Sequence, residues 1–419
     1  MKSPCYLIWC NSAFNTKPNR INIPYHLTRL YEVADYLQKQ NVLVKCFDME
    51  MWVNEYTDLC ESVIRENASC FVFYTTTENL PIVIKYSEML KTINQNCKIM
   101  VYGEISAIAP DYFLDYNIDA TASIKSDPEI SIKSFYDYVF SGDSSKLIGV
   151  NLIKNKQLVL SQNDKWLNPA EWGVPDKKWF SYEDVLKSGR INQMTLTITK
   201  GCSFPCDYCI TKVTEGIVYR KRPIEQIINF IKNNSYSTYK FFSAFFTLDK
   251  EYVASLCREL IKLDKKISWS CCTRADFLQD EELVSLMKQA GCYKVSIGVE
   301  TLSQTNLNFI NKKLEIEQIN NSLKLLNKYH ITFKALLMFG IPNQTKEDIK
   351  ATLDILTQYD NVVLRPLAYS QLFDIKRGMS PFEVVKYDKW TNYDFPIEGI
   401  SRELFFKLLY DVNNYKKYI

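Results

Sequence analysis

The sequence of 419 residues has no long apolar run and no strong excess of charge of one sign. No stretch approaches the roughly eighteen consecutive apolar residues of a membrane-spanning helix, and the N-terminal segment has too few apolar residues for a secretory signal. The net charge is +3, and Lys and Arg are spread along the whole length rather than gathered on one face. These absences predict a cytoplasmic protein with no membrane span and no nucleic-acid partner.

Histidine is nearly absent as well, because only His26 and His330 occur. Cysteine is frequent by comparison: the chain has 13 cysteines, an odd number without the regular spacing of a disulfide framework. In a long cytosolic chain, a close group of cysteines indicates metal or redox chemistry. One such group occurs, at Cys202, Cys206 and Cys209.

The region 1–150 alternates short apolar strands with amphipathic helices. The strands are YLIWC, VLVKCF, FVFYTTT and KIMVYGE. This alternation predicts an α/β domain with a parallel, doubly wound sheet of the flavodoxin or Rossmann type. Ligands of such sheets bind beyond the carboxyl ends of the strands, so we expect a cofactor site bordered by residues 11–23, 75–80 and 103–110.

The rest of the chain divides into three predicted parts. Residues 151–190 are rich in Trp, Pro and Asp with weak periodicity, which predicts a linker. Residues 191–375 contain six apolar segments, from MTLTIT to NVVLRPL, that alternate with helical segments, and this predicts a partial (β/α)6 barrel with catalytic residues at the C-terminal strand ends. Residues 376–419 are predicted to form a small helical C-terminal cap.

The three close cysteines lie in the segment CSFPCDYC, directly after the strand MTLTIT and Lys200-Gly201. Three thiolates on one tight loop would leave one iron of a cubane without a protein ligand, and thiolates suit iron-sulfur clusters. The alternatives are a structural zinc site and three incidental buried thiols. Zinc requires a fourth ligand, and neither histidine is near the loop in sequence.

The segment CSFPCDYC resembles the CxxxCxxC signature of the radical S-adenosylmethionine (SAM) superfamily, in which an aromatic residue, here Tyr208, precedes the last cysteine. The resemblance implies that Cys202, Cys206 and Cys209 bind a [4Fe-4S] cluster whose fourth iron is chelated by SAM. It also implies that an electron from a flavodoxin- or ferredoxin-type donor breaks a carbon-sulfur bond of SAM and releases a 5'-deoxyadenosyl radical.

Several later segments occur in the order found in the radical SAM subgroup with an N-terminal cobalamin-binding domain. They are VYRKRP, FFSAFFT, SWSCCTRADF, AGCYKVSIGVETLSQTNLNFINK and FGIPNQTKED. This resemblance implies a class B-like methyltransferase, in which one SAM methylates cobalamin and a second supplies the radical. The methyl group would go to an unactivated carbon of a natural product, a peptide or another small molecule. Two alternatives stay open: rearrangement, cyclisation, epimerisation or oxidation without methyl transfer, and a non-catalytic iron-sulfur sensor.

Polar residues near the ends of the barrel strands are candidates for SAM binding. Period-two alternation places Ser270, Cys272 and Arg274 on one face of a strand. It places Ser296, Gly298 and Glu300 on one face of the next strand. If these faces point into the barrel, we expect Arg274 to meet the SAM carboxylate and Glu300 the ribose or the amine. Tyr208 and Gly340 complete the predicted set. The alternatives are an ion pair at the barrel bottom for Glu300 and an ordinary strand-ending turn at Gly340.

The predicted cobalamin site lies at the ends of the third and fourth strands. Its candidate residues are Thr75, Thr76, Gly103, Glu104 and Ser106. Gly103 permits the backbone to approach a large ligand closely. The Asp-x-His-x-x-Gly box of methionine-synthase-like domains is absent, since residues 11–23 contain no His and no Gly, and any cobalamin would therefore lack a histidine lower ligand from that box. The alternative is a domain without cofactor that packs on the barrel.

Overall fold

The computed structural model describes residues 3–11, 25–49, 56–175, 179, 193–389 and 392–419. The predicted rim segment 11–23 and much of the predicted linker, residues 176–178 and 180–190, lie almost entirely outside these ranges. The chain forms two compact units. The first comprises Met1–Leu196, Ile210–Ile217 and Leu372–Tyr387, and the second comprises Thr197–Cys209, Val218–Gln371 and Asp388–Ile419. Among the described residues, no helix is long and apolar enough to cross a bilayer.

The first unit contains a seven-stranded sheet with the order β2-β1-β3-β4-β5-β6-β7. Its strands are β1 Cys5–Trp9, β2 Val44–Asp48, β3 Cys70–Thr75, β4 Lys98–Gly103, β5 Ala120–Ala122, β6 Val150–Lys154 and β7 Gln157–Val159. The first five strands pair in parallel, and the last two are antiparallel. The order 2-1-3-4-5 is that of flavodoxin-like doubly wound sheets, so the predicted fold of this region is confirmed.

The helices of the first unit cover both faces of this sheet, as its strand order requires. They span Tyr25–Lys39, Tyr56–Glu66, Leu80–Ile93, Glu104–Ile108, Pro128–Ser141, Thr211–Thr214 and Pro381–Val385, with 3-10 turns at Pro110–Asp115, Ser144–Lys146, Pro169–Glu171 and Leu372–Asp374. Every residue of β1 and β3 is buried, because side chains on both faces are covered.

Two predicted boundaries differ from the structure. The linker was expected from residue 151, but β6 and β7 form a hairpin at residues 150–159 that extends the first sheet. Asn155 and Lys156 make its two-residue turn with φ of 50° and 57°, the left-handed conformation that such turns require and that the strand pattern does not reveal. The predicted C-terminal cap is also divided, since residues up to Tyr387 belong to the first unit and those from Asp388 to the second.

A six-stranded sheet with the order β15-β14-β13-β12-β11-β8 lies in the second unit, except that residues 194–196 of β8 fall in the first unit. The strands are β8 Met194–Thr197, β11 Thr238–Phe242, β12 Ser268–Thr273, β13 Cys292–Glu300, β14 Thr332–Phe339 and β15 Val362–Ala368. They are the six strands that the sequence predicts. β9 Thr199–Lys200 and β10 Arg220–Lys221 form a separate antiparallel ribbon.

The helices of the second unit alternate with these strands. They span Ile224–Lys232, Lys250–Ile261, Glu281–Gln289, Gln304–Phe309, Ile316–Lys328, Lys346–Leu356 and Arg402–Tyr410, with 3-10 turns at Ala275–Phe277 and Val412–Lys417. From β11 to β15 the pairing is parallel and the neighbours are consecutive in sequence. Right-handed crossovers between consecutive strands place the connecting helices on one face of the sheet, and the other face stays uncovered by them.

Candidate active site

The three clustered cysteines lie on the loop that follows β9. The turn is closed by the Cys209 backbone N–H, which donates to the Cys206 carbonyl oxygen at 3.2 Å. Cys206 is buried, whereas Cys202 and Cys209 are partly exposed. Burial raises the pKa of Cys206, and the nearby cations of Lys312 and Arg274 oppose that shift by favouring the thiolate. The loop therefore brings three soft donors together beside two positive charges.

The donor set fits an iron-sulfur cluster. Within the described ranges, no group of three His, Cys, Asp or Glu side chains is placed to hold a single metal ion. A cubane makes a different demand, because each thiolate binds a separate iron and the three sulfur atoms need not converge on one point. Burial also raises the pKa of Cys202, and the thiols of Cys209 and Cys206 raise it further, which shows that the three groups lie close to one another.

Arg274 holds the cysteine loop in place. Its guanidinium donates to both Asp276 carboxylate oxygens, to the Lys312 and Lys313 carbonyl oxygens at 3.0 Å, and to Cys206 Sγ at 3.8 Å. These contacts occupy all five of its N–H groups. Its Cζ also lies 3.8 Å from the centre of the Phe204 ring. The contact of Arg274 with the SAM carboxylate stays a prediction, and the observed contacts assign this residue a positioning role.

Tyr208 and Glu300, which are far apart in sequence, meet beside Cys206 together with Lys312. Glu300 Oε1 accepts from the Tyr208 hydroxyl at 3.0 Å and from Lys312 Nζ at 2.8 Å, and Lys312 Nζ lies 3.0 Å from the Tyr208 oxygen. Glu300 and Lys312 are buried, and Tyr208 is half-buried. Although burial by itself lowers the pKa of Lys312, the Glu300 carboxylate raises it above the ordinary value, so the ammonium stays charged.

The backbone at the end of β13 aims Glu300 into this network. Glu300 has a φ of 62°, and the pairing of β13 with β14 shifts register between Gly298 and Glu300. Such bulges redirect a side chain, so strict alternation along the strand does not hold here. A Cβ on Gly298 would lie 2.7 Å from Lys312 Nζ and 2.8 Å from Glu300 Oε1. The missing side chain at Gly298 therefore makes room for the Lys312–Glu300 ion pair.

The other two SAM candidates lie outside this network. Ser296 is half-buried in the middle of β13, where it pairs in register with Cys272 and Lys334. Gly340 follows β14 with a φ of 83°, and its N–H donates to Gln344 Oε1 at 2.8 Å. A strand-ending turn thus already uses the Gly340 N–H, as the alternative interpretation expected. Their SAM contacts stay predictions.

The cobalamin candidates lie at the carboxyl edge of the first sheet. The Thr75 hydroxyl donates to the Tyr102 carbonyl oxygen at 3.0 Å, and the Ser106 hydroxyl donates to the Gly103 carbonyl oxygen at 3.2 Å. The Thr76 N–H donates to Asn79 Oδ1 at 2.8 Å, which shapes the turn before the helix Leu80–Ile93. Glu104 begins the next short helix. These residues are neighbours in space, and much of their hydrogen bonding stabilises the edge itself.

Gly103 leaves the edge open where a side chain would fill it. Its φ is 105°, and a Cβ there would lie 2.8 Å from the Thr75 carbonyl oxygen. The adjacent cleft is lined by Tyr74, Tyr102, Gly103, Ser106 and Ala122, among others, and by Arg29, which forms a buried ion pair with Glu215. The Tyr102 hydroxyl is buried and has no hydrogen-bond partner among the described residues. An unpaired buried hydroxyl is costly, which fits a ligand that supplies its partner.

Sequence reasoning missed Lys312, Asp276, Tyr102 and Arg29. Lys312 closes the segment that ends in NFINK, which resembles the subgroup, but only the fold shows that its ammonium reaches Glu300. Asp276 lies two residues after Arg274, a short spacing that was available as a signal. Tyr102 and Arg29 have no local signal, since their importance comes from the cleft they line.

Comparisons with known proteins agree with this geometry. Residues 196–356 match the radical SAM superfamily. Over 370 residues, the chain is 21% identical to an uncharacterized methyltransferase of Pyrococcus horikoshii, and the match covers 84% of this chain and 80% of that protein.

Two solved structures share the fold over most of the chain. One is the radical SAM methyltransferase TsrM from Kitasatospora setae with cobalamin and a [4Fe-4S] cluster bound, with a TM-score of 0.71 and 14% identity over 88% of this chain and 72% of TsrM. The other is the cobalamin-dependent SAM radical enzyme OxsB with aqua-cobalamin and SAM bound, with a TM-score of 0.72 and 16% identity over 99% of this chain and 56% of OxsB. At these identities the likeness concerns the fold.

Proposed function

We propose that the chain, whose residues 196–356 match the radical SAM superfamily, is a cobalamin-dependent radical SAM enzyme that methylates an unactivated carbon of a small-molecule or peptide substrate. The observation that carries this proposal is the presence, in one chain, of a flavodoxin-like 2-1-3-4-5 sheet and a six-stranded parallel sheet with the three-cysteine loop. TsrM and OxsB, whose structures contain cobalamin, share this fold over nearly the whole chain.

We assign one proposed cofactor to each unit: cobalamin to the first and the [4Fe-4S] cluster to the second. When bound, the cluster on Cys202, Cys206 and Cys209 supplies the electron that cleaves SAM, and cobalamin carries the methyl group. The electron would come from a cytoplasmic donor of the flavodoxin or ferredoxin type. The protein contributes binding, orientation and the exclusion of side reactions.

The residues beside the cluster loop stabilise charge and orient SAM. Lys312 and Arg274 favour the thiolate form of Cys206, which is the form that binds iron. Both hydrogen bonds of the Glu300 carboxylate reach Oε1, so we expect Oε2 to accept from the SAM amine or a ribose hydroxyl. Misplacement of a reacting group by about 1 Å can cost roughly a hundredfold in rate, so this orientation matters for cleavage.

The carboxyl edge of the first sheet is the proposed cobalamin site. The strand order reverses between β1 and β3, which is the position where doubly wound sheets bind ligands. Gly103 lets the ligand approach the backbone, and the Tyr102 hydroxyl offers a hydrogen bond. Because residues 11–23 contain no histidine, we expect no protein imidazole from that loop on the lower face of the corrin.

The test uses the full chain reconstituted anaerobically with iron, sulfide and hydroxocobalamin, then reduced in the presence of SAM. We expect 5'-deoxyadenosine from radical cleavage and S-adenosylhomocysteine in an amount stoichiometric with the bound corrinoid. Omission of hydroxocobalamin is the control and should remove only the S-adenosylhomocysteine. Formation of 5'-deoxyadenosine alone in the complete mixture would contradict the methyltransferase function and favour rearrangement or oxidation.

A further inference from the structure

One face of the second sheet carries a group of basic side chains. Lys240 on β11 pairs in register with Ser270 on β12, and Ser270 pairs with Lys294 on β13. Lys334 on β14 pairs with Ser296, which lies two residues after Lys294 on the same face. Because side chains paired in register point to the same side of a sheet, the three lysines share one face.

This face is the one that the connecting helices leave open. The intervening residues Tyr239, Phe241, Val295, Phe333 and Ala335 are fully buried on the helix-covered face. Lys240, Lys294 and Lys334 are half-buried instead. The same register places Arg365 of β15 on the open face beside Leu336. We call Lys240, Lys294, Lys334 and Arg365 the basic face.

Among the described residues, the lysines of the basic face differ from other lysines of this unit, which form ion pairs with carboxylates. Lys221 pairs with Asp249, Lys312 with Glu300 and Lys328 with Glu281. For Lys240, Lys294 and Lys334, no carboxylate among the described residues forms an ion pair. Instead they act on one another: burial, together with the nearby charges of Arg365, Lys240 and Lys294, lowers the pKa of Lys334 to about 8.

Such a cluster opposes folding, because like charges repel and each half-buried ammonium loses hydration. A group of side chains of one charge sign also attracts groups of the opposite charge. The positive charge is unsuited to SAM itself, whose sulfonium is cationic. A bound anion would offset both the repulsion between the ammonium groups and their loss of hydration.

We propose that the basic face binds a phosphate or pyrophosphate group of the substrate. Ammonium groups from three strands suit a tetrahedral, multiply charged oxyanion, whereas a carboxylate carries one charge and is typically held by the planar fork of an arginine. Cys272 lies on the same face, because it pairs in register with Ser296. Burial raises the pKa of its thiol, and the charges of Lys240 and Lys334 on this face, like those of Lys312 and Glu300 beside the cysteine loop, are near enough to act on that pKa. The anion would thus anchor the substrate near the radical site. The inference rests on the proposed function and names its substrate class.

The test measures binding of inorganic pyrophosphate to the reconstituted full chain by isothermal titration calorimetry. Hydroxocobalamin is bound beforehand, so that the corrinoid's own phosphodiester has already taken its site. We expect saturable binding that weakens with added salt. Lys334→Gln and Lys240→Gln should each weaken it about tenfold, the loss of one charged hydrogen bond. Lys324→Gln, at an exposed lysine of the same unit, is the matched control and should leave affinity unchanged.

The Lys334→Arg variant tests whether pyrophosphate binding depends on the positive charge at this position rather than on the lysine side chain itself. Arginine stays protonated, so this variant should bind pyrophosphate nearly as well as the parent protein at pH 7 and better at pH 9, where Lys334 is mostly neutral. Pyrophosphate binding at pH 8 should take up fewer protons in Lys334→Arg than in the parent, because the arginine is already charged. The ligand's own proton uptake is the same in both proteins and cancels in the comparison. Thermal unfolding should show that Lys334→Gln is as stable as the parent, since it removes a repelled charge.

The outcomes distinguish this inference from the proposed function. Absence of pyrophosphate binding, or equal affinity of the Lys334→Gln, Lys240→Gln and Lys324→Gln variants, would overturn the basic face as an anion site. Tighter binding of malonate than of pyrophosphate would overturn the phosphate assignment. If pyrophosphate binds but the same preparation forms no S-adenosylhomocysteine with SAM, the methyltransferase function fails and the anion site stands.

Discussion

The two sheets of this protein are both parallel, yet they offer ligands different surfaces. The first has the order 2-1-3-4-5, which places helices on both faces, and every residue of β1 and β3 is buried. The second has consecutive neighbours from β11 to β15, and buried and half-buried residues alternate along Thr238–Phe242 and along the first six residues of Thr332–Phe339. Connection order alone decides whether a parallel sheet keeps one face free.

This difference separates the roles proposed for the two units. A sheet covered on both faces can bind a ligand only at its edge, and the cobalamin candidates Thr75, Gly103 and Ser106 all lie there. A sheet with a free face can bind along the strands as well as at their ends. In the second unit, Glu300 at the carboxyl end of β13 lies with Tyr208 and Lys312 beside the cysteine loop. The open face of the sheet carries the lysines proposed to bind an anion.

The largest expected effect comes from replacing a cysteine of the second unit that is proposed to bind iron. The same replacement at a cysteine of the first unit should have no such effect. Cys206→Ala should abolish formation of an intact [4Fe-4S] cluster and of 5'-deoxyadenosine, because the cubane loses one of three protein ligands. Iron content and the visible absorbance of the reconstituted protein measure the loss. Cys60→Ala, a partly buried thiol of the first unit, is the control and should retain both. A full cluster in Cys206→Ala would refute the metal-site assignment.

A smaller effect is expected when the same polar side chain is placed in each sheet. Val72 in β3 is fully buried, and Leu336 in β14 is half-buried on the open face. Val72→Gln should lower the free energy of unfolding by about 2–4 kcal/mol, because its amide is buried without partners. Leu336→Gln should cost about 1 kcal/mol or less. Urea denaturation measures both, and equal losses would show that the second sheet has no free face.

The smallest expected effects on stability come from alanine substitutions at Gly103 in the first unit and Gly298 in the second. Gly103→Ala forces a side chain into a φ of 105° and against the Thr75 carbonyl oxygen, so it should cost about 1–3 kcal/mol and weaken hydroxocobalamin binding. Gly298→Ala meets only the ends of two flexible side chains, so it should cost less stability yet displace the Lys312–Glu300 pair and slow 5'-deoxyadenosine formation. Unchanged SAM cleavage in Gly298→Ala would show that the pair is structural only.

The sequence alone determined the features that depend on local pattern. The contiguous segment CSFPCDYC predicted the cluster ligands, and the alternation of apolar strands and helices predicted both α/β units and all six strands of the second sheet. These signals are readable because spacing within a loop and periodicity within an element involve residues that are near in sequence.

Only the tertiary structure decided which side chains meet. The contact of Glu300 with Tyr208 joins residues 92 positions apart, and it depends on a register shift at Gly298 that no strand pattern reveals. Arg274 contacts Asp276, Cys206 of the cysteine loop and the backbone of residues 312–313, and its contact with SAM stays a prediction. The basic face was hidden as well, because its members lie on four strands. Their proximity is set by strand order and register, which arise from packing between distant segments rather than from any one of them.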